Sequence, residues 1–421
     1  MPAWVITSLA ALVGLASSGL FAATVSGNPE NYDRLLRRLA PGDTLQLAPG
    51  AYGRGLRLHD LHGEPGAPIV IEGPAGGAKA VIIGREGHNT VSIKDASHVT
   101  VRNLEIDGRG AFVDGVKCEG HAKFAHHITL EGLYILNLAR QQQSVGISTK
   151  CPAWDWVVRG NRIEGVGTGM YFGNSSGQDP FVGGLIEDND IIDTIGHNLQ
   201  IKHQKARPAV AGMPQDTRFT VIRRNRFVKE QGGSTEINAR PNVLVGHFPL
   251  EGPGSDDTRA IYGNLFLENP NEALFQDEGN IALYSNVFFN SHDIEFLAIA
   301  IQPHNDVPKR IDIFGNRVFH PKVGIRFIAP PERQAVELRT VGNDVYAAAP
   351  FLGANSQGNT TFRTEASLES YCDVFGDGAR RPGELTDSGG RKLDFSPFEH
   401  LPDYNDISFQ FFGRRCEGFR H

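Results

Sequence analysis

An all-β chain wound as a right-handed parallel β-helix, with an N-terminal capping helix and an irregular C-terminal tail, is the fold class that the sequence predicts. Two observations predict it. An Asn followed within three residues by Ile, Val or Phe recurs at Asn103, Asn161, Asn189, Asn225, Asn264, Asn286, Asn316 and Asn343, and Leu133 holds the register between the first two. The spacing runs from 22 to 39 residues, and a strand-like unit repeated at that interval means stacked coils. An Asn at a fixed turn can stack on its counterparts and satisfy the backbone groups of neighbouring coils through its amide. The second observation is compositional: 49 Gly, with Asn at turns and short Val and Ile runs between them, favours strands. A solenoid grows by adding coils, so 421 residues need not divide into several globular domains.

Taken in order, residues 1–23 read as a secretory signal peptide: Trp4 to Ala23 is uncharged and apolar and a polar chain follows. No later stretch approaches the length needed to span a bilayer. Residues 24–349 are expected to form the β-helix with its cap. From Pro29 to Leu39, Tyr32, Leu35, Leu36 and Leu39 share one face of a short amphipathic helix. A helix there would cover the open end of the first coil. Strand runs follow at Ile69 to Glu72, Ala80 to Ile83 and Val91 to Ile93. Past Pro350 the repeat stops, and residues 350–421 are expected to pack on the solenoid or cap its last coil. Cys118 and Cys151 fall on successive coils, two residues out of line, and Cys372 and Cys416 would pin the tail. Cysteines used this way suit an oxidising compartment, periplasmic or extracellular. The net charge of −7 carries no basic run, which argues against nucleic acid as a partner.

Each coil carries a further strand, and aligning these by hand puts ionisable groups in columns. His203, His247, Glu278 and His304 fall in one column, and Gln276 and Gln302 in another. Lys202 and Arg240 lie beside them. Imidazoles, a carboxylate and cations along one strip suit acid–base chemistry on a polymer. Strict strand alternation offers the opposite reading, since Leu199 and Ile201 in the core would turn His203 inward and Lys202 outward. The two longest coils owe their length to insertions directly after this strand, Lys205 to Thr217 and Phe248 to Thr258, where long loops tend to serve function. The second holds Glu251, Asp256 and Asp257, of which Asp256 and Asp257 are candidate calcium ligands.

The run Leu39-Ala40-Pro41-Gly42-Asp43-Thr44 to Gly50-Ala51-Tyr52, then Pro68-Ile69-Val70-Ile71, resembles the amino-terminal coil of the β-helix polysaccharide lyases of the chondroitinase B and alginate lyase type. Leu199-Gln200-Ile201-Lys202-His203-Gln204, followed by Thr220-Val221-Ile222-Arg223-Arg224-Asn225, is similar to their lysine coil. The resemblance implies β-elimination on a uronate polymer, with Lys202 as base and a cation, often calcium, over the substrate carboxylate. Where those lyases carry Arg-His-Gly on the next coil, this chain has Gly246-His247-Phe248. Arg240, His203 or His304 would then substitute for the missing group; His247 or His203 is expected to assist Lys202, Arg240 or calcium to neutralise the carboxylate, and Gln276, Glu278, Gln302 and His304 to bind substrate. A uronate C5 epimerase, a glycoside hydrolase using Asp277 or Glu278 with Asp256 or Asp257, and a non-catalytic glycan-binding solenoid remain alternatives.

Overall fold

The computed structural model describes residues 22–120, 123–231, 233–303, 309–328, 336–354, 358–362 and 391–404. Residues 1–21, Cys372, Cys416 and His304 lie outside them. The chain winds as a right-handed parallel β-helix whose coils contribute strands to three stacks, every strand pairing parallel with its counterpart one coil on. The first stack runs from Thr24–Gly27 to Glu337–Val341 and leads into the Asn turn. The second, a sheet of 12 strands, leaves that turn, beginning at Gly50–Tyr52 and ending at Thr360–Phe362. The third runs from Leu56–His62 to Ala349–Leu352. Val91–Arg102 is one strand of 12 residues that pairs with Leu56–His62 and Ile69–Glu72, fusing the first and third stacks into one 24-stranded sheet.

Alternate residues of each strand point inward. Leu199, Ile201, Val243, Val245, Phe275, Ile299 and Ile301 in the third stack are fully buried, and inside the second Phe266 stacks on Phe288 with centroids 4.3 Å apart. Such self-stacked interiors place like residues on like from coil to coil, so each coil templates the side-chain choice of the next.

The Asn ladder spans Asn161 to Asn343. Asn225 Nδ2 donates to Asn264 Oδ1 at 3.0 Å and to the Ile186 carbonyl at 2.9 Å, while its backbone N–H donates to the same Oδ1 at 3.0 Å. The pattern repeats at each step. Asn103 does not belong to it. Tyr134 pairs with Glu105, so the residue opposite Leu133 is Leu104, and Asn103 occupies the preceding left-handed corner at φ 58°. Two leucines thus close the ladder on the N-terminal side. On the other side it gains a rung, because Asn343 donates to Asn359 Oδ1 at 2.8 Å.

The capping helix is shorter than its amphipathic pattern, Tyr32–Leu36. Tyr32 and Leu36 are buried, and the Tyr32 hydroxyl donates to the Gly55 carbonyl at 2.7 Å. Cys118 and Cys151 form a disulfide with Cα atoms 5.9 Å apart. Cys118 pairs in register with Thr149, so the two-residue offset read in the sequence is real and the Cys151 turn spans it. Residues 391–404 lie along the outside of the first stack. Phe398 stacks on Phe314 at 4.0 Å, Phe314 on Tyr284 at 4.7 Å and Tyr284 on Tyr262 at 4.8 Å, and Arg223 donates to Asp403 at 2.8 Å.

Candidate functional site

The outward face of the third stack carries a run of ionisable and amide side chains. One outward column reads Lys117, Ser148, Tyr171, Gln200, Leu244, Gln276 and Ala300 on successive coils. Two residues further along each coil a second column reads Glu119, Lys150, Gly173, Lys202, Gly246, Glu278 and Gln302, fixed by the same pairings and by Gly246 N–H on the Ile201 carbonyl at 2.8 Å and Gln302 N–H on the Asp277 carbonyl at 3.0 Å. At about 4.8 Å per coil the face runs roughly 29 Å along the axis.

Two cavities open on it, on either side of Tyr171. A cleft of about 820 Å³ is floored by Lys117, Glu119 and Lys150 and walled by the Asn174 to Asp179 turn and by Pro208 and Val210. The second, about 240 Å³, is lined by Gln200, Lys202, Leu244, Gln276, Glu278 and Gln302 with Asp277 beneath. The first long insertion supplies Pro208 and Val210 to the wall of the larger cleft, and the second braces the first. Arg207, from the first, is buried and pairs with Asp257 of the second while donating to the Pro214 carbonyl at 2.7 Å. The Arg207 N–H also donates to the Pro253 carbonyl at 3.2 Å.

Electrostatics single out the lysines. Burial lowers Lys150 to about 8, with Asp114 opposing and Lys117 and Lys202 adding to the shift. Its ammonium lies 3.2 Å from the centroid of the Tyr171 ring, a cation–π contact that favours the charged form. Burial pushes the Tyr171 hydroxyl up to about 12, so it stays protonated. Lys202 is also lowered by burial, with Glu278 pulling the other way. Gly173 separates the two lysines in the column and carries no side chain, and at φ +86° a substituent there would be strained and 3.3 Å from Lys202 Cβ.

Among the sequence-predicted residues, Lys202, Gln276, Glu278 and Gln302 converge on one cavity. Their columns differ from the hand alignment. Ile201 pairs with Val245, Val245 with Asp277, and Asp277 with Ile301. Glu278 and Gln302 therefore stand in line with Lys202, while Gln276 stands in line with Gln200. The slip is one residue at the coil of Phe275 and one residue the other way at the coil of Ile299, so Gln276 stands opposite Ala300 and does not share a column with Gln302. His203 and His247 are in register, two residues past the Ile201 and Val245 pair, and their rings stack at 5.3 Å. Neither lines the two cavities: His203 packs beneath Gly177, and buried His247 places Nδ1 2.9 Å from the Phe248 carbonyl. Arg240 turns its guanidinium to the carbonyls of Ala239 and Ile237, at 2.6 and 3.0 Å, away from the groove. Asp257 has both oxygens engaged, by Arg207 and by the Arg218 N–H at 2.9 Å, and Asp256 is exposed on its loop. These two residues do not assemble the six to eight oxygens that calcium takes.

Lys117, Lys150 and Tyr171 complete the face and were not singled out in the sequence. Their signal is alternation: each lies an even number of residues from its neighbour column and opposite in parity to buried Val116, Ile147 and Met170.

No family model and no curated relative matches the sequence. Solved structures of similar fold include the lacto-N-biosidase of Eubacterium ramulus, with a TM-score of 0.58 and 13% identity over 81% of this chain and 68% of that one. An alginate lyase from Paenibacillus gives 0.49 and 14% over 82% and 98%. The A-module of an Azotobacter vinelandii mannuronan C-5 epimerase gives 0.37 and 15% over 76% and 91%. At these identities the likeness is one of fold.

Proposed function

We propose that the protein is a secreted or periplasmic polysaccharide lyase that cleaves a uronate-containing polymer by β-elimination in the groove of the third stack. The observation that carries this reading is the alignment of Lys150 and Lys202 in one outward column, one coil to either side of Gly173, with Tyr171 under Lys150. The disulfide and the leader-like first residues support an oxidising compartment.

The C5 hydrogen of a uronate is acidified when a cation neutralises its carboxylate. Lys202, lowered by burial but with Glu278 favouring its charged form, takes that role. With its pKa near 8, about a tenth of Lys150 is neutral at pH 7 and serves as base. Sequence resemblance gives the base to Lys202; the larger depression of Lys150 is the reason for exchanging the two roles. Lys150 Nζ removes the C5 proton, the C5–H electron pair forms the C4–C5 double bond, and the C4–O4 bond breaks. The Tyr171 hydroxyl donates its proton to the departing O4. Gln200, Gln276 and Gln302 are placed to hydrogen-bond sugar hydroxyls along the groove. No step is assigned to calcium.

A panel of uronate polymers tests the reading through the ultraviolet absorbance of the conjugated unsaturated product. Its absence with every polymer, calcium included, overturns the proposal. New reducing ends without that absorbance assign a hydrolase, and an altered uronate configuration without cleavage assigns an epimerase.

A further inference from the structure

We propose that His98, His126 and His127 form a binding site for a transition-metal dication, with zinc as the fitting example, at a corner of the solenoid outside the groove. Each offers a ring nitrogen, and these atoms lie within 4.8 Å of one another. Two ligands on a tetrahedral zinc at 2.0–2.1 Å stand about 3.3 Å apart, so small ring rotations bring the three to ligating distance. His126 Nδ1 and His127 Nδ1 already meet at 2.8 Å. Two imidazole nitrogens pointed at each other require either a shared proton or a cation between them.

The backbone sets this up at some cost. His127 lies opposite His98, since His126 pairs with Ser97 and Ile128 with Val99. Asp155 follows on the next coil, directly after Trp154, which pairs with His126. His98, His127 and Asp155 have φ of 52°, 53° and 54°, a left-handed conformation uncommon for side chains beyond Asn, Asp and His. The result is a short ladder of two imidazoles and a carboxylate on successive coils. His127 turns Nε2 to Asp155 Oδ2 at 3.6 Å while its Nδ1 faces His126. One nitrogen toward the ligand cluster and the other toward a carboxylate is how metal-binding histidines are oriented and made more basic. His126 is held from behind by Trp154, stacked at 4.5 Å and 10°. Imidazole nitrogens suit zinc, copper and nickel rather than calcium. Such an ion would clip together coils beyond the disulfide, at a corner where strand hydrogen bonding lapses.

Simple aromatic stacking at the corner is the competing account, and zinc binding separates the two. Full-length protein free of any histidine tag is titrated with zinc chloride at near-neutral pH by equilibrium dialysis, with melting followed in parallel. One saturable zinc per chain and a raised melting temperature are expected. His98→Asn and His127→Asn keep a residue tolerant of the corner conformation while removing a ligand, and Asp155→Asn removes only the orienting carboxylate. Each should weaken zinc about tenfold or more with metal-free melting little changed, and cobalt should give a d–d spectrum in the parent that His127→Asn loses. His127 is exposed, so its variant tests the site even if His98→Asn folds poorly. Absence of saturable zinc, or zinc affinity and cobalt spectrum unchanged in folded His127→Asn, overturns the site.

Discussion

Lys202 faces Glu278 across Gly246, a coil position with no side chain, so the ammonium and the carboxylate act on one another along the groove. A Cβ at Gly246 would come 2.3 Å from the His203 backbone nitrogen, which keeps that position bare. The pair thus couples the charge of the groove's central lysine to a carboxylate that substrate would approach.

Glu278→Gln removes the one influence that raises Lys202, so its pKa falls further below 10.5. If Lys202 neutralises substrate, the alkaline limb of the pH–rate profile moves to lower pH and the acid limb, set by Lys150 near 8, stays. A shift of the acid limb instead would return the role of base to Lys202.

Lys150→Met and Tyr171→Phe each remove a proton-transfer group and should lower kcat by about 10²–10⁴. Lys117→Met leaves both in place and should act mainly on KM. Lys117 is already paired with Asp114 at 3.4 Å, so the KM effect is expected to be modest. Steady-state kinetics on the active polymer decides, and an unchanged kcat for Lys150→Met removes it from the mechanism.

Position along the Asn ladder should set the cost of breaking it. Asn264→Leu takes the Oδ1 acceptor from both the backbone N–H and one Nδ2 hydrogen of Asn225, whereas Asn161→Leu takes it from the Leu133 N–H alone, since Leu133 has no side-chain amide; each also removes the donor to a carbonyl, that of Ile222 or of Leu130. The central substitution should cost about 1–3 kcal/mol more. Chemical denaturation of both variants measures it, and equal costs would mean the side-chain rungs contribute little.

Burial lowers His320 from 6.5 to about 4. The unfolded chain therefore binds a proton between those values that the folded chain refuses. Its contribution to stability is full above about 6.5 and falls away as pH drops toward 4. Melting temperature followed over that window should decline, and His320→Gln should flatten the decline.

Much of this architecture was legible in the sequence because one side chain does one job at every turn. Asn161 to Asn343 must each meet the same two backbone groups, so the spacing records the coils. Asn103 looks alike locally yet sits one residue early, at a corner where its own φ decides its place and its neighbours do not. Asn359 follows its predecessor by 16 residues, too short a step to read as a coil. At the groove, Lys202, Gln276, Glu278 and Gln302 were found but put in the wrong file. Near a strand end chemical likeness suggests Gln276 beside Gln302, whereas hydrogen bonding aligns Gln276 with Ala300. The Lys150–Tyr171 contact was not legible for a related reason: it is made across coils, and no local motif announces it.

Because every Asn passes its Oδ1 to the coil before and donates to the one after, the ladder has a direction, and whole coils are its units of exchange. Excising or duplicating one complete coil would leave each junction chemically identical, whereas removing a few residues would not. The length of the groove is therefore a counted quantity, which a lineage can change in integer steps.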